Sequence, residues 1–103
     1  MRPFSNTQLF DSFFLGGFEC STHRLRNGKR LDLVHSTRHD ELAYSDYRLL
    51  QAWGLRSARD GLRWPAIEQS PNRYDFSTTV PMLKAARDSG MQVTWDLWHY
   101  GWP

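Results

Sequence analysis

A helix, a glycine and a strand follow one another twice in this sequence, and this repeated order limits the fold more than any other feature. The two glycines are Gly54 and Gly90, 36 residues apart. Each lies between a segment with helical spacing of apolar residues and a short segment typical of a buried strand. Strands joined by helices run parallel, so the sequence predicts an α/β fold with the order β-α-β-α-β. The predicted strands are 13–19, 55–62 and 91–97, and the predicted helices are 40–53 and 78–89.

The segments between these elements are predicted to be irregular. Residues 1–12 show little periodicity and are expected to form a lead-in to a single structural unit over 13–103. The polar composition of 21–38 predicts a long connecting loop. Trp64-Pro65 is expected to close the second strand, because proline has no amide to extend a ladder.

Helical periodicity also predicts which side of each helix is buried. Ser77 is a plausible N-cap for the second helix, and Pro81 is tolerated in its first turn. The expected buried face of the first helix comprises Leu42, Asp46, Leu49, Leu50 and Trp53, and that of the second comprises Val80, Leu83 and Ala86.

The composition argues against several classes of function. The chain has 13 basic and 11 acidic side chains in mixed order, so no nucleic-acid partner is expected. No stretch approaches the roughly 20 apolar residues of a membrane span, and no secretion signal is recognisable, which favours a cytoplasmic protein without membrane contact. Cys20 has no partner for an internal disulfide, and His35 and His39 lack the spacing of a metal site. Neither a metal nor another cofactor is therefore expected.

Aromatic residues are unusually frequent at the end of the third predicted strand. They make up 15% of the chain, and Trp98, Tyr100 and Trp102 alternate with other residues around His99. Tryptophan and tyrosine offer flat apolar faces with a polar tip, and histidine both donates and accepts hydrogen bonds. This combination suits a sugar, which carries hydroxyls around a weakly apolar ring. The pattern predicts a carbohydrate-binding surface.

Three segments, in order, carry a resemblance to a known family. They are FLGGFECSTHR at 14–24, ARDGLRWPAI at 58–67 and LWHYGWP at 97–103. Together they resemble the first three strands of the glycoside hydrolase clan built on (β/α)8 barrels, most closely the family 1 β-glucosidases. The 36-residue repeat is close to the roughly 31 residues per unit of a 250-residue barrel. The resemblance implies a partial TIM barrel.

The resemblance also implies a role for Arg59, which would lie in the active site and keep the nucleophilic carboxylate ionised. Arg63 is a competing candidate, and a structural salt bridge is the alternative role for Arg59. Retaining hydrolysis requires two carboxyl groups about 5 Å apart. In the family these groups end the fourth and seventh strands, which are not among these residues. The local acids Glu19, Glu68 and Asp96 are therefore not assigned to catalysis.

Five residues are predicted to bind substrate at the strand ends. Each has an alternative role in the core, in an interface or as a solvated loop residue. Arg24 stands where the family has a sugar-binding glutamine. The five residues are Arg24, Trp64, Trp98, His99 and Tyr100.

The sequence thus predicts the N-terminal part of a retaining glycoside hydrolase acting on O-glycosidic bonds. It would contribute glycone-binding residues and would not turn over alone. Its expected partners are a carbohydrate substrate and the remainder of the barrel, or a second copy joined through the open sheet edge. The alternative is a noncatalytic carbohydrate-binding or assembly module that oligomerises.

Overall fold

Three parallel strands form the sheet, and their order in space is their order in the chain. The computed structural model describes residues 8–103, so residues 1–7 of the predicted lead-in lie outside the described part. The α/β class and the parallel direction are confirmed. The elements are β1 (Leu15–Gly17), α1 (Leu33–Ser36), α2 (His39–Ala52), β2 (Ser57–Gly61), α3 (Trp64–Ile67), α4 (Val80–Ser89) and β3 (Gln92–Asp96).

The sheet has one face covered by helices and one face that is largely open. Helices α2 and α4 connect successive strands and pack against each other. Side chains alternate between the two faces of a strand. Ala58 and Asp60 of β2 point towards the helices and are buried, whereas Arg59 between them points the other way and is exposed. The cluster of buried apolar residues comprises Cys20, Val34, Ala43, Tyr47, Ala58, Met82, Ala85 and Met91.

Residues 8–12 contain neither helix nor strand, and they are bonded to the amino ends of β2 and β3. The Asp11 amide donates to the Ser57 hydroxyl at 2.9 Å, and the Gln92 side-chain amide donates to the Leu9 carbonyl at 3.1 Å. This part of the lead-in therefore covers the amino ends of β2 and β3.

The predicted buried face of α2 is wrong, although its bounds lie within one residue of the prediction. The buried residues are His39, Ala43 and Tyr47. These residues are four positions apart and therefore share one face of the helix. Two of them, His39 and Tyr47, are polar. Leu50 packs partly against the core. The residues that were predicted to be buried but are exposed are Leu42, Leu49 and Trp53.

The second long helix shows the same kind of error. Helix α4 buries Met82 and Ala85, whereas Val80 and Leu83 are partly exposed. Ala86, the third residue of the predicted face, does pack partly against the core. Its N-cap position is Thr79 and not Ser77, and no side chain caps it. The other end follows the prediction, since Gly90 caps the helix at a φ of 73°, in the left-handed region that favours glycine.

Two short helices were not predicted. Helix α1 interrupts the segment expected to be a loop, and its N-cap is Asp32, whose carboxylate accepts a hydrogen bond from the His35 amide at 3.1 Å. Helix α3 begins at Trp64, with Pro65 in its first turn. Proline is favoured there because the amide it lacks has no helical partner. Trp64-Pro65 therefore begins a helix after the strand has ended.

A buried hydrogen-bond network joins α2 to the sheet and explains the buried face of α2. The imidazole of His39 lies 2.7 Å from an Asp46 oxygen through Nδ1 and 2.5 Å from an Asp60 oxygen through Nε2. The Tyr47 hydroxyl donates to the same Asp60 oxygen at 2.6 Å. Phe18 stacks on the His39 ring with centroids 4.0 Å apart. A buried carboxylate is costly unless it is paired, so Asp60 draws His39 and Tyr47 inward.

The His39 network predicts that stability depends on pH. Burial alone would lower the pKa of His39, but the hydrogen bonds and charges of Asp60 and Asp46 outweigh it and raise the pKa above 6.5. The stabilisation is fully present below 6.5 and is lost as pH rises through the higher folded pKa. We expect the unfolding free energy, measured by urea denaturation, to fall over that interval. His39→Gln should remove this part of the pH dependence, and an identical profile in the variant would contradict the assignment.

Close packing at Gly61 gives a second prediction. A Cβ atom there would overlap the Cys20 thiol and lie 2.6 Å from Cys20 Cβ, whereas one at Gly17 would meet nothing within 4 Å. Gly61→Ala should lower the unfolding free energy by about 1–3 kcal/mol through overpacking. Gly17→Ala, at another strand position, is the matched control and should change it far less. Equal urea midpoints for the two variants would show that the contact is absent.

Candidate functional site

The carboxyl ends of the parallel strands lie at one edge of the sheet and bring distant segments together. Asp96 is the last residue of β3, and it pairs in register with Gly61, the last residue of β2. The chain after β1 reaches the same place, because the Thr22 amide donates to the His99 carbonyl at 3.3 Å. We call this edge the carboxyl rim, defined by 19–24, 61–64 and 96–102.

Asp96 is the centre of the polar contacts at the carboxyl rim. Its Oδ2 accepts from Arg59 Nε at 2.8 Å and lies 2.7 Å from Arg59 Nη2. The same oxygen is 3.5 Å from Cys20 Sγ and 3.8 Å from His99 Nδ1. Arg59 and His99, which the sequence assigned to one site, thus share a carboxylate partner on the open side of the sheet.

His99 is held in place through one ring nitrogen. Its Nδ1 lies 3.2 Å from Cys20 Sγ and 3.6 Å from a Glu19 oxygen. Within the described residues, Nε2 has no hydrogen-bond partner. This nitrogen is therefore free to bond a ligand while the other fixes the ring.

The two acids of the rim are both held in the ionised form. Burial opposes ionisation of Asp96, but hydrogen bonds from Arg59 and Cys20 outweigh it and lower its pKa. Hydrogen bonds from the Ser21 hydroxyl and amide lower the pKa of Glu19. A general acid for glycoside cleavage needs a raised pKa. Neither carboxyl group has one, so these two acids suit charge balance and binding.

Cys20 is buried, and its thiol has polar contacts. Burial, then the hydrogen bond and charge of Asp96, raise its pKa to about 12. The group stays a protonated thiol at neutral pH and is a poor nucleophile.

Three tryptophans form an exposed aromatic row beside these polar groups. The rings of Trp64 and Trp98 have centroids 6.2 Å apart, and those of Trp98 and Trp102 are 6.1 Å apart, both pairs edge to face. Trp98 is 60% exposed and Trp102 is 59% exposed. Packing in the core does not account for rings that are this open to solvent. We call these three residues the tryptophan row.

Arg24 and Tyr100 line a separate pocket on the rim, with a volume of about 320 Å³. Tyr100 has a positive φ of 66° and a largely exposed ring. His99 and Tyr100 lie with ring centroids 4.9 Å apart, so the pocket adjoins the Asp96 cluster. Its lining comprises His23, Arg24, Arg30, Tyr100, Gly101, Trp102 and Pro103.

The aromatic segment is fixed against the chain that follows β1. Arg30 donates to the Thr22 carbonyl at 2.7 Å and to the Trp102 carbonyl at 2.9 Å. Gly101 lies against Thr22 so closely that a Cβ atom would overlap the threonine hydroxyl. Hydrogen bonds thus hold the segment after β1 and the segment after β3 together at the carboxyl rim.

Arg63, the competing candidate for the role of Arg59, is placed elsewhere. Its guanidinium is 6% exposed and pairs with Asp32 at 2.9 Å and Asp40 at 3.4 Å. It links the end of β2 to the N-cap of α1 and to the first turn of α2. Arg59 is 56% exposed on the open face, where a ligand can reach it.

One group of side chains has the composition of a metal site. Cys20, Asp96 and His99 place one ligand atom each within 4.8 Å of one another. The guanidinium of Arg59 already balances the Asp96 charge, and the Cys20 thiol is protonated. The three groups therefore fit a hydrogen-bond network better than a cation site. His35 and His39 belong to no such group in the part of the chain that the structure describes.

The sequence predicted Arg59 and His99 as site residues, but it did not predict that the carboxylate of Asp96 lies between them. Asp96 was judged to lie inside a strand, and the structure places it at the strand's last position. One signal was available in the sequence. Asp96 lies two positions before Trp98, so in an extended strand the two side chains point to the same face, and Asp96 is then close to the carboxyl end of the strand. The contact with Cys20 could not be found from spacing, since the two residues are 76 apart in the chain.

Comparison with known proteins adds no assignment, since no family model, curated protein or solved structure matches this chain. Within the described residues, no helix combines the length and apolar character needed to cross a membrane.

The Asp96 cluster predicts a shift in thiol titration. Asp96→Asn removes a hydrogen bond and a negative charge from Cys20, so the pKa of the thiol should fall below its value of about 12. It should stay above 9.0, because burial remains the largest cause. The thiolate absorbance of this single cysteine, followed against pH, measures the change. Asp88→Asn, which breaks the exposed pair with Arg87, is the control and should leave the titration unchanged.

Proposed function

We propose that this chain forms the first three strands of a (β/α)8 glycosidase-like barrel and contributes the glycone-binding part of its site. The observation that carries the proposal is the joining of Arg59 and His99 through Asp96 on the rim that also bears the tryptophan row. Active sites of such barrels lie at the carboxyl ends of the strands. The resemblance to family 1 β-glucosidases agrees with this placement.

The chemistry of the rim suits a sugar. Trp98 and Trp102 present apolar faces on which a pyranose ring can stack. His99 Nε2 and the exposed guanidinium of Arg59 supply polar groups for hydroxyls. Pockets for small ligands combine largely apolar walls with a few placed polar groups.

The open parts of the sheet support a larger assembly. Strands β1 and β3 are both edges, and edge strands leave unpaired backbone groups that recruit further strands. The face that carries Arg59 and Thr94 is exposed, as the inner face of an unclosed barrel would be. The remainder of a barrel is the partner that would cover both.

A noncatalytic carbohydrate-binding module is the second candidate. It agrees with the pKa directions of Glu19 and Asp96, as the first candidate also does, because both acids are ionised and neither serves as a general acid. The two candidates share the same sugar-binding rim. They differ in whether a catalytic carboxyl pair is supplied by further strands.

Sugar binding is tested by titration of methyl β-D-glucopyranoside into the protein, followed by NMR of the indole N–H signals. Trp98→Ala should weaken binding about threefold to tenfold, since an aromatic contact of this kind contributes about 0.5–1.5 kcal/mol. Trp53→Ala is the matched control, because Trp53 is 80% exposed and belongs to the end of α2 away from the tryptophan row. Equal weakening by both variants, or no saturable shift in the unaltered protein, would contradict the proposal.

The same preparation should not hydrolyse aryl β-glucosides. Turnover that is abolished by Glu19→Gln would show that the rim itself holds the catalytic acid, contrary to the ionised state described above. A defined oligomer with saturable sugar binding, measured by size exclusion with light scattering, would favour the noncatalytic module.

A further inference from the structure

Basic residues are concentrated in one hairpin that begins at the carboxyl rim. Between 23 and 31 the chain turns back on itself, with an antiparallel bridge between Arg24 and Arg30 and a hydrogen bond of 2.7 Å from the Leu25 amide to the Lys29 carbonyl. We call residues 23–31 the basic hairpin. It follows β1 and lies beside Trp102, to whose carbonyl Arg30 donates at 2.9 Å.

The charge of the basic hairpin is not balanced locally. It contains four basic side chains and no acid, so the other residues hold nine basic and eleven acidic side chains. The net charge of +2 for the chain is therefore due to this segment. Its cationic residues are Arg24, Arg26, Lys29 and Arg30.

Two of these cations border the 320 Å³ pocket and have only neutral partners. Arg24 donates to the Gly28 carbonyl at 3.2 Å, and Arg30 donates to the carbonyls of Thr22 and Trp102. Neither guanidinium forms an ion pair with a described residue, and residues 1–7 contain no acidic side chain. The lining also contains no acidic side chain. Arg59 and Arg63, by contrast, are both paired with carboxylates.

The pocket combines this unbalanced charge with aromatic walls. Tyr100 and Trp102 line it together with the arginines, and His23 adds a further nitrogen group. A volume of about 320 Å³ is at the lower end of the range for small-ligand sites, which fits one or two sugar rings and not an extended polymer. Guanidinium groups recognise carboxylate and phosphate oxygens through paired hydrogen bonds.

We infer that the pocket between the basic hairpin and the segment 100–103 binds an acidic saccharide, a sugar that bears a carboxylate or a phosphate group. The anionic group lies against Arg24 and Arg30, and the sugar ring lies against Tyr100 and Trp102. This inference rests on the proposed function and specifies its substrate class. Nucleic acid, which also combines anionic and flat groups, is disfavoured by the size of the pocket.

The test compares four ligands on the full 103-residue chain by isothermal titration calorimetry. They are D-glucuronic acid, D-glucose 6-phosphate, D-glucose and a single-stranded oligonucleotide. We expect the two acidic sugars to bind at least tenfold more tightly than glucose, and their affinity to fall as salt is added, since partly exposed charges are screened. The better of the two identifies the anionic group.

Matched charge variants locate the site. Arg24→Gln should weaken binding of the preferred acidic sugar on the order of tenfold, as for loss of one charge-assisted hydrogen bond, and should therefore reduce the ratio of its affinity to that of glucose. Arg26→Gln removes the same charge from the same hairpin, but Arg26 does not line the pocket, so it should have little effect. Circular dichroism of both variants confirms that the fold is kept.

The outcomes separate this inference from the proposed function. Equal affinity for glucose and the acidic sugars, or equal weakening by the two variants, overturns the inference and leaves the sugar site standing. Absence of binding to any sugar overturns both. Tighter binding of the oligonucleotide, with a steep salt dependence, overturns the inference in favour of a nucleic-acid surface.

Discussion

The buried carboxylate of Asp60 is the constraint on which the rest of the structure depends. It lies on the helical side of β2, where only hydrogen bonds from His39, Tyr47 and the Gly61 amide make its burial tolerable. Those bonds decide which side of α2 faces the sheet. Because side chains alternate along a strand, they also leave Arg59 on the opposite, open face. The orientation of β2 therefore places Asp60 in the buried network and Arg59 in the candidate site.

On the open side, a second carboxylate organises the rim. Asp96 holds the Arg59 guanidinium and lies close to His99, while the chain after β1 crosses beside them and is bonded to the aromatic segment. The tryptophan row and the basic hairpin flank this cluster. In the functions that we propose, the first supplies apolar faces and the second supplies cationic groups. Arg30 of the basic hairpin donates to the carbonyls of Thr22 and Trp102, and these bonds hold the hairpin against the segment that carries Trp102.

Local signals predicted the elements well and their orientation poorly. The long helices and all three strands overlap their predicted positions, because helical spacing, Gly54 and Gly90 act within a few residues. The buried helix faces were wrong because burial was inferred from hydrophobicity alone. Tyr47 is buried because its hydroxyl donates a hydrogen bond to Asp60 in β2. Leu49 is exposed because the helix face that buries Tyr47 leaves Leu49 on the opposite side. The short helices α1 and α3 were missed although Asp32 and Pro65 are standard helix-start signals, since four residues give no periodicity.

The sequence by itself determined the parallel β-α-β-α-β order, the glycine stop after each long helix, and the aromatic and basic character of the segments that follow the strands. These properties depend on residue type and on spacing of a few positions. Only the tertiary structure decided that Asp96 joins Arg59 to His99, that Arg63 is structural, and that the basic hairpin lies against Trp102. Apart from that between Asp96 and His99, which are three positions apart, those contacts join residues that are tens of positions apart. Their pairing is fixed by strand register and by the desolvation of buried charge, neither of which a local pattern specifies.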